Sequence, residues 1–253
     1  MTAATVDELF TRERRERWGD RTTLVDATGR EYDHHWLCTT AWKAGNFLRH
    51  SGVRNGVTVG VVGTGPLALL AFFGATLLEA RTRFDPPTDL AGDDSFRALV
   101  APVEDLESGT YDLPVGAQRI GYGDKPEQPD IHNFNGGLWS ENPSFPPVSI
   151  DPETALVTDG QRSVSHSEAI AAAQHVIDDN SLERGDRIVV RTPLSDCRTV
   201  VAGVLAPLLA EGTIVLGADD ADELGKYAVT TSDGDVASVP EAEHIVLEDI
   251  SLA

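Results

Sequence analysis

Three places in this chain hold residue types whose spacing could do chemistry. Gly63-Thr64-Gly65-Pro66-Leu67-Ala68 follows a β-branched run (Val57, Val59, Val61, Val62) and precedes an apolar stretch, Leu67 to Leu78. That order fits G-x-G-x-x-A, the turn that sets a pyrophosphate on a helix N-terminus in nicotinamide-dinucleotide, NAD(P)-binding units of the Rossmann type. Such a unit also places an acidic residue at the end of its second strand, about twenty residues on. Here Glu79 falls in the helical stretch and Asp85 precedes Pro86-Pro87, so the glycines read better as a tight turn in a core. His34-His35 offers two metal-ligating side chains, but adjacent residues point to different sides of a helix and no ligand set accompanies them. They read as surface or first-turn residues. Cys197 beside Asp196 could form part of a nucleophilic pair with a distant histidine, yet no local signature supports it, and a buried thiol is the plainer reading.

The elements that would position these residues come in two copies. Val57 to Phe84 reads as strand, glycine turn, apolar helix, strand, the content of a βαβ unit buried on both faces. A hairpin (Thr22 to Asp26, Arg30 to Tyr32, turning at Thr28-Gly29) and a helix capped by Asp33 precede it, with Leu37, Ala41, Ala44 and Leu48 on one face. The same succession restarts about 130 residues later. Ala155-Leu156-Val157 and Asp159 to Arg162 take the place of the first hairpin. Ser165 and Glu168 spell a capping box for the next helix. Ile188 to Val190, Val200 to Leu209 and Thr213 to Leu216 repeat strand, buried helix and strand. The expected fold is α/β, one double-lobed domain over 1–253: a first lobe repeat at 5–87, a connecting segment at 88–150, a second repeat at 151–217 and a C-terminal extension at 218–253. Each lobe should hold a largely parallel sheet flanked by helices. Val6 to Trp18 reads as one charged amphipathic helix, its arginines interleaved with glutamates on a solvated face.

The 253 residues carry 41 acidic and 20 basic side chains, a formal charge of -21, and only three lysines (Lys43, Lys125, Lys226). Acid spread along the whole chain repels nucleic acid and anionic lipid, so neither is expected as a partner. Such a surface with so little lysine suits a halophilic protein in molar salt, where self-repulsion is screened. Val57 to Leu78 is uncharged, but Gly63, Gly65 and Pro66 near its middle argue against a membrane span. The start of the chain shows no apolar leader, and the expected location is cytoplasmic. Two cysteines, Cys38 and Cys197, suit small buried residues better than a disulfide framework.

The order of these pieces resembles the N-terminal part of the AMP-forming acyl-CoA synthetases, the adenylate-forming ligases. The first half supplies Glu31-Tyr32-Asp33-His34-His35-Trp36-Leu37, Gly52-Val53-Arg54-Asn55-Gly56-Val57, Gly74-Ala75-Thr76-Leu77-Leu78-Glu79-Ala80 and Phe84-Asp85-Pro86. The second supplies Thr154-Ala155-Leu156-Val157, Val164-Ser165-His166, Arg184-Gly185-Asp186-Arg187-Ile188-Val189, Pro193-Leu194 and Leu208-Leu209-Ala210-Glu211-Gly212-Thr213. The resemblance covers about residues 5 to 217. It implies the two-lobed scaffold of that family, and an ATP-phosphate loop between the Ala-Leu-Val strand and the Val-x-Ser-His helix start.

The departures from the family pattern concern that loop. The family has a Ser/Thr/Gly-rich stretch ending Pro-Lys-Gly. Here the interval is Thr158-Asp159-Gly160-Gln161-Arg162-Ser163, shorter and without the lysine. By the resemblance, Gly160, Gln161, Arg162 and Ser163 are what remains of a nucleotide-binding loop, and Asp159 would repel a triphosphate. Pro193-Leu194-Ser195-Asp196 stands where the family has an aromatic and a histidine. The family's later adenine, ribose and lid motifs do not occur. The expectation is a shortened, degenerate relative, catalytically inactive, without catalytic residues, metal or cofactor, acting as a binding or interaction module. Its expected partner is a second copy in a homodimer, or a full-length synthetase-like protein, covering apolar surface exposed around residues 190 to 217. The alternatives are one half of a split acyl-adenylate-forming ligase completed by another chain, and an NAD(P)-binding protein using Gly63 to Ala68.

Overall fold

The computed structural model describes residues 3–217, 224–232 and 239–252. Near the N-terminus a 3-10 turn, Val6–Phe10, buries Val6, Leu9 and Phe10. The backbone then turns extended at Thr11, whose hydroxyl accepts from the Arg14 amide and starts α1 (Arg12–Trp18). This extended cap splits what the charge pattern suggests is one helix. No residue of α1 is buried. Its arginines are spent on aromatic faces, Arg14 and Arg17 over Trp18 and Arg15 over Trp42.

The first repeat follows as β1 (Thr22–Val25), β2 (Glu31–Asp33), α2 (His34–His50), β3 (Thr58–Val61), α3 (Pro66–Thr76) and β4 (Arg81–Phe84). Asp33 caps α2 by accepting from the Trp36 amide at 2.6 Å. Helix α3 is buried on every side from Ala68 to Thr76, which explains its lack of amphipathic pattern. Residues 88–150 do more than connect. They add β5 (Phe96–Pro102), α4 (Val103–Glu107), β6 (Gln118–Tyr122), β7 (Ile131–Asn133) and α5 (Phe134–Ser140).

The second repeat supplies β8 (Ala155–Thr158), β9 (Ser163–Ser165), α6 (His166–Asn180) and β10 (Arg187–Val190). Both halves of the Ser165–Glu168 capping box form. The buried helix begins as α7 (Cys197–Thr199), continues as a π-helical segment (Val200–Leu205) and ends as α8 (Ala206–Leu209), before β11 (Thr213–Val215). Two more strands, β12 (Tyr227–Thr230) and β13 (Glu243–Val246), close the described chain. The remainder of the extension at 218–253 lies outside the described residues.

The two sheets run β7-β6-β5-β3-β4-β8-β9 and β13-β12-β10-β11-β1-β2. All pairs are parallel except the hairpins β1–β2 and β8–β9. The repeats and the sheets do not coincide. Hairpin β1–β2 adds to the second repeat's sheet through Leu24↔Ile214 and Val25↔Val215. Hairpin β8–β9 adds to the first repeat's sheet through Thr82↔Val157. Apart from β7, the orders are equivalent: β6-β5-β3-β4 with the foreign hairpin, and β13-β12-β10-β11 with the foreign hairpin. Strands β12 and β13 thus take the places that β5 and β6 hold in the other sheet. One continuous core contains residues of both sheets and of α2, α3 and α6.

This arrangement corrects the expectation of exposed apolar surface at 190 to 217. Val200 to Leu208 is buried throughout. Strand β12 pairs with β10 (Ile188↔Tyr227), and Tyr227, Val229, Ile245 and Leu247 join the same core. Among the described residues, the large exposed apolar side chains are Val115 and Trp139 instead.

Two histidines are locked inside. His34 is buried in the first turn of α2, not on the surface, with Nε2 3.3 Å from the Cys38 sulfur. His35 remains exposed. His166, 1% exposed, accepts the Val6 amide at Nδ1, 3.1 Å away, and so ties the N-terminal turn to the second repeat. Burial pushes both down to about 4, helped at His34 by Arg14 and Arg21. The unfolded chain therefore binds protons that the folded one refuses. Stability should be level above pH ~6.5 and fall between there and pH ~4, by on the order of several kcal/mol for the pair. Carboxyls held low by partners, such as half-buried Asp196 and buried Glu241, add to the loss only at lower pH. Urea midpoints at a series of pH values check this; a midpoint unchanged between pH ~7 and pH ~5 would contradict it.

Candidate functional site

The β8–β9 loop sits at the carboxyl end of β8, where a parallel sheet presents its ligand-facing turns. Its backbone amides are already used. The Gly160 amide donates to Thr158 Oγ1 at 3.0 Å. The Gln161 and Arg162 amides both donate to Asp159 Oδ1 at 2.7 Å. Thr158 Oγ1 donates to the Arg162 carbonyl at 2.6 Å, and the Asp159 amide reaches the same carbonyl. Asp159 is thus a built-in anion in a nest of its own loop. The Arg162 and Gln161 amides hold its carboxyl below the usual carboxylate range. Gly160 adopts φ +94°, and a Cβ there would run into the Arg83 guanidinium, so the turn admits little but glycine.

The first repeat shows the same closure. In the β1–β2 turn, the Thr28 and Arg30 amides donate to Asp26 Oδ1 at 2.8 and 3.2 Å. Burial works against the Asp26 charge, but the Thr28 and Tyr32 hydroxyls and these amides outweigh it and keep the carboxyl low. The β8–β9 loop is therefore built like its structural counterpart across the duplication.

Of the four residues that the resemblance marks, Gly160 and Gln161 are exposed turn residues and Ser163 is the exposed first residue of β9. Arg162 lies 3.5 Å from Glu168, whose other oxygen closes the capping box. Asp159 and Arg162 line a cleft of about 740 Å³ with Ser195 to Arg198 and residues 248–252. The structure so brings the loop and the Pro193-Leu194-Ser195-Asp196 segment together. The arginines of this cleft are paired with carboxylates. Arg198 binds Asp196 through both oxygens, at 2.6 and 3.0 Å, and Asp196 also caps α7. Asp159, Glu248 and Asp249 add carboxylates on the same walls.

Cys197 is buried in this cleft wall. Burial, and then the charges of Asp159 and Asp196, push its thiol up to about 11. Cys38 is pushed by burial to about 12, and its neighbour His34 stays neutral, so that pair is no thiolate–imidazolium couple either. The i, i+4 spacing of His34 and Cys38 on α2 is the sequence signal for that contact. Both cysteines are free. Among the described residues, no group of three His, Cys, Asp or Glu could hold a metal ion, and no helix is long and apolar enough to cross a membrane.

The glycine turn before α3 is filled by the protein itself. Gly63 has φ +93°, and its amide donates to Asp85 Oδ1 at 3.1 Å. The Tyr122 hydroxyl donates to the Val62 carbonyl at 2.6 Å and stands where a Gly63 side chain would lie. A pyrophosphate at this turn would have to displace both groups.

A second cleft, of about 620 Å³, lies beside the first hairpin between α2, the start of α3 and α5. Its walls come from four separate segments, which is why no sequence motif announces it.

No family model matches the chain, and no curated protein matches it in sequence. Solved structures match it in fold. An anthranilate-CoA ligase, AuaEII, in complex with anthranoyl-AMP superposes with a TM-score of 0.76 at 17% identity, covering 90% of this chain and 49% of that one. A nonribosomal peptide synthetase, FmoA3, gives 0.68 at 18% identity over 86% of this chain and 23% of that one. The N-terminal domain of FACL13 from Mycobacterium tuberculosis gives 0.71 at 15% identity over 90% and 62%. The chain spans about half the length of the first of these neighbours. At such identities the likeness establishes the fold: two largely parallel sheets flanked by helices, as in the N-terminal domain of adenylate-forming ligases.

The thiol environment gives a direct check. At pH ~8.5 a thiol near 11 is ionised on the order of a hundredfold less than a free one, and one near 12 on the order of a thousandfold, so Cys197 and Cys38 should label with iodoacetamide more slowly than in urea by about those factors. Labelling of Cys197 at the rate of a free thiol would contradict the buried, unactivated assignment.

Proposed function

We propose that this chain is a non-catalytic binding or interaction module on the scaffold of an adenylate-forming ligase, a pseudoenzyme whose β8–β9 loop holds no nucleotide. The carrying observation is the closure of that loop by Asp159. Phosphate binding needs amides aimed outward and positive charge near the site. Here the Gly160, Gln161 and Arg162 amides turn inward onto Thr158 and Asp159. Arg162 and Arg198 have carboxylate partners, and the Arg83 guanidinium, which stands against Gly160, acts on the loop's own Asp159 carboxylate. A triphosphate in this cleft would meet carboxylates at Asp159, Asp196, Glu248 and Asp249.

A second reading is a split acyl-adenylate-forming ligase in which another chain completes the site. The partial coverage of the neighbours favours it. The NAD(P) reading has less support, because Asp85 and Tyr122 occupy the Gly63 turn. As an acidic protein of charge -21, it suits a cytoplasm rich in salt. The partner of this module is a second copy or a full-length synthetase-like protein.

Thermal unfolding in molar KCl, with Mg-ATP, AMP, coenzyme A and NAD(P) in turn, tests the reading. A ligand at ~100 times its dissociation constant adds roughly 2.7 kcal/mol and moves the midpoint visibly. The proposal predicts no shift with any of the four. A shift with Mg-ATP or AMP would overturn it in favour of the split ligase, and a shift with NAD(P) alone would restore the dinucleotide turn.

A further inference from the structure

The internal duplication sets one cleft beside each hairpin, and the two differ in chemistry. The second-repeat cleft is acidic, with its arginines paired. The first-repeat cleft is walled by Trp36, Leu67, Leu70, Leu138 and Trp139, and Lys43 also lines it. Its size is that of an ordinary small-molecule site. Trp139 is 86% exposed, a large apolar surface kept at the rim.

Lys43 is the unusual residue. The chain has 41 carboxylates and three lysines, yet Lys43 has no ion-pair or hydrogen-bond partner among the described residues. It is half-buried, so its charge is partly withdrawn from water without compensation. The two carboxylates in the cleft wall are engaged elsewhere. Asp26 takes its own turn amides and the Tyr32 hydroxyl at 2.7 Å, and Asp33 caps α2. Arg30 stacks on Tyr32. Lys43 lies ten residues beyond Asp33 on α2, about 15 Å along the axis, so an anion beside it escapes that carboxylate. Trp36, Thr40 and Lys43 follow helical spacing on the cleft face of α2, which lines up an aromatic ring, a hydroxyl and an ammonium in that order.

We propose that this cleft binds a small organic acid with an apolar body: the carboxylate is held by Lys43 and Thr40, and the aryl or short alkyl body lies between Trp36, Leu67, Leu70 and Trp139. The site is separate from the β8–β9 loop, and its occupancy does not depend on whether that loop binds a nucleotide.

Tryptophan emission reads it, since two of the four tryptophans line the cleft. Phenylacetate, 4-phenylbutyrate and octanoate are titrated in molar KCl, alongside the alcohols of the same carbon skeletons. At least one acid should give a saturable change at low millimolar concentration or below. The matching alcohol should bind about tenfold or more weakly, and Lys43→Met should lose the same factor while Lys43→Arg keeps most of the affinity. Trp139→Ala should weaken acid and alcohol alike. Circular dichroism verifies that each variant is folded. The proposal is overturned if no acid saturates in that range, if acid and alcohol bind equally, or if folded Lys43→Met binds as the parent does.

Discussion

Each sheet of this protein is completed by a hairpin from the other repeat, and the rest of the architecture depends on that exchange. The contact is small: β4 meets β8 at Thr82↔Val157, and β11 meets β1 at two residue pairs. Yet it obliges both repeats to fold together. Helices α2 and α3 pack on each other between sheets that each contain strands of both repeats, and Phe72, Phe73 and Leu156 end in one core. His166 adds a second tie, holding the Val6 amide across 160 residues of sequence. Burying that imidazole neutral makes the tie sensitive to acid.

The same exchange decides where the chemistry can lie. Each foreign hairpin presents its turn at the carboxyl end of the neighbouring sheet, and lines a cleft with the start of its own repeat's buried helix, α3 for β1–β2 and α7 for β8–β9. Two similar clefts result. In one, Asp159 neutralises the loop's own amides, and Asp196 and Arg198 neutralise each other. In the other, Asp26 closes its turn in the same way, but Trp36, Leu67 and Trp139 leave an apolar wall beside Lys43. The two clefts thus present different side chains beside similar hairpin turns.

Much of this was legible in the chain. The duplication showed because each repeat carries the same periods: hairpin, capped amphipathic helix, β-branched strand, uniformly apolar helix. Caps at Asp33 and Ser165 form as their residue types dictate. The hairpin exchange was not legible, because alternation along β1 specifies a buried face but not which strand lies beside it. Nor was β7, whose few apolar residues sit among Gly, Asp and Pro. Val200 to Leu208 is covered by α6 and β10, with β12 extending the sheet beside β10, an arrangement that no local pattern announces. Asp159 could be read as hostile to phosphate; that it also consumes the loop's amides required the turn geometry. The Lys43 cleft joins residues from Asp26 to Trp139 and has no signature in any one segment.

The central claim is that the β8–β9 loop is saturated by its own side chains. Amide hydrogen exchange at Gly160, Gln161 and Arg162, followed by NMR with and without Mg-ATP, tests it most directly. The account predicts that all three amides are protected in the free protein, that Mg-ATP leaves them unchanged, and that Asp159→Ala exposes Gln161 and Arg162 while the rest of β8 and β9 stays protected. Rapid exchange of these amides in the free protein, slowed when Mg-ATP is added, would contradict it.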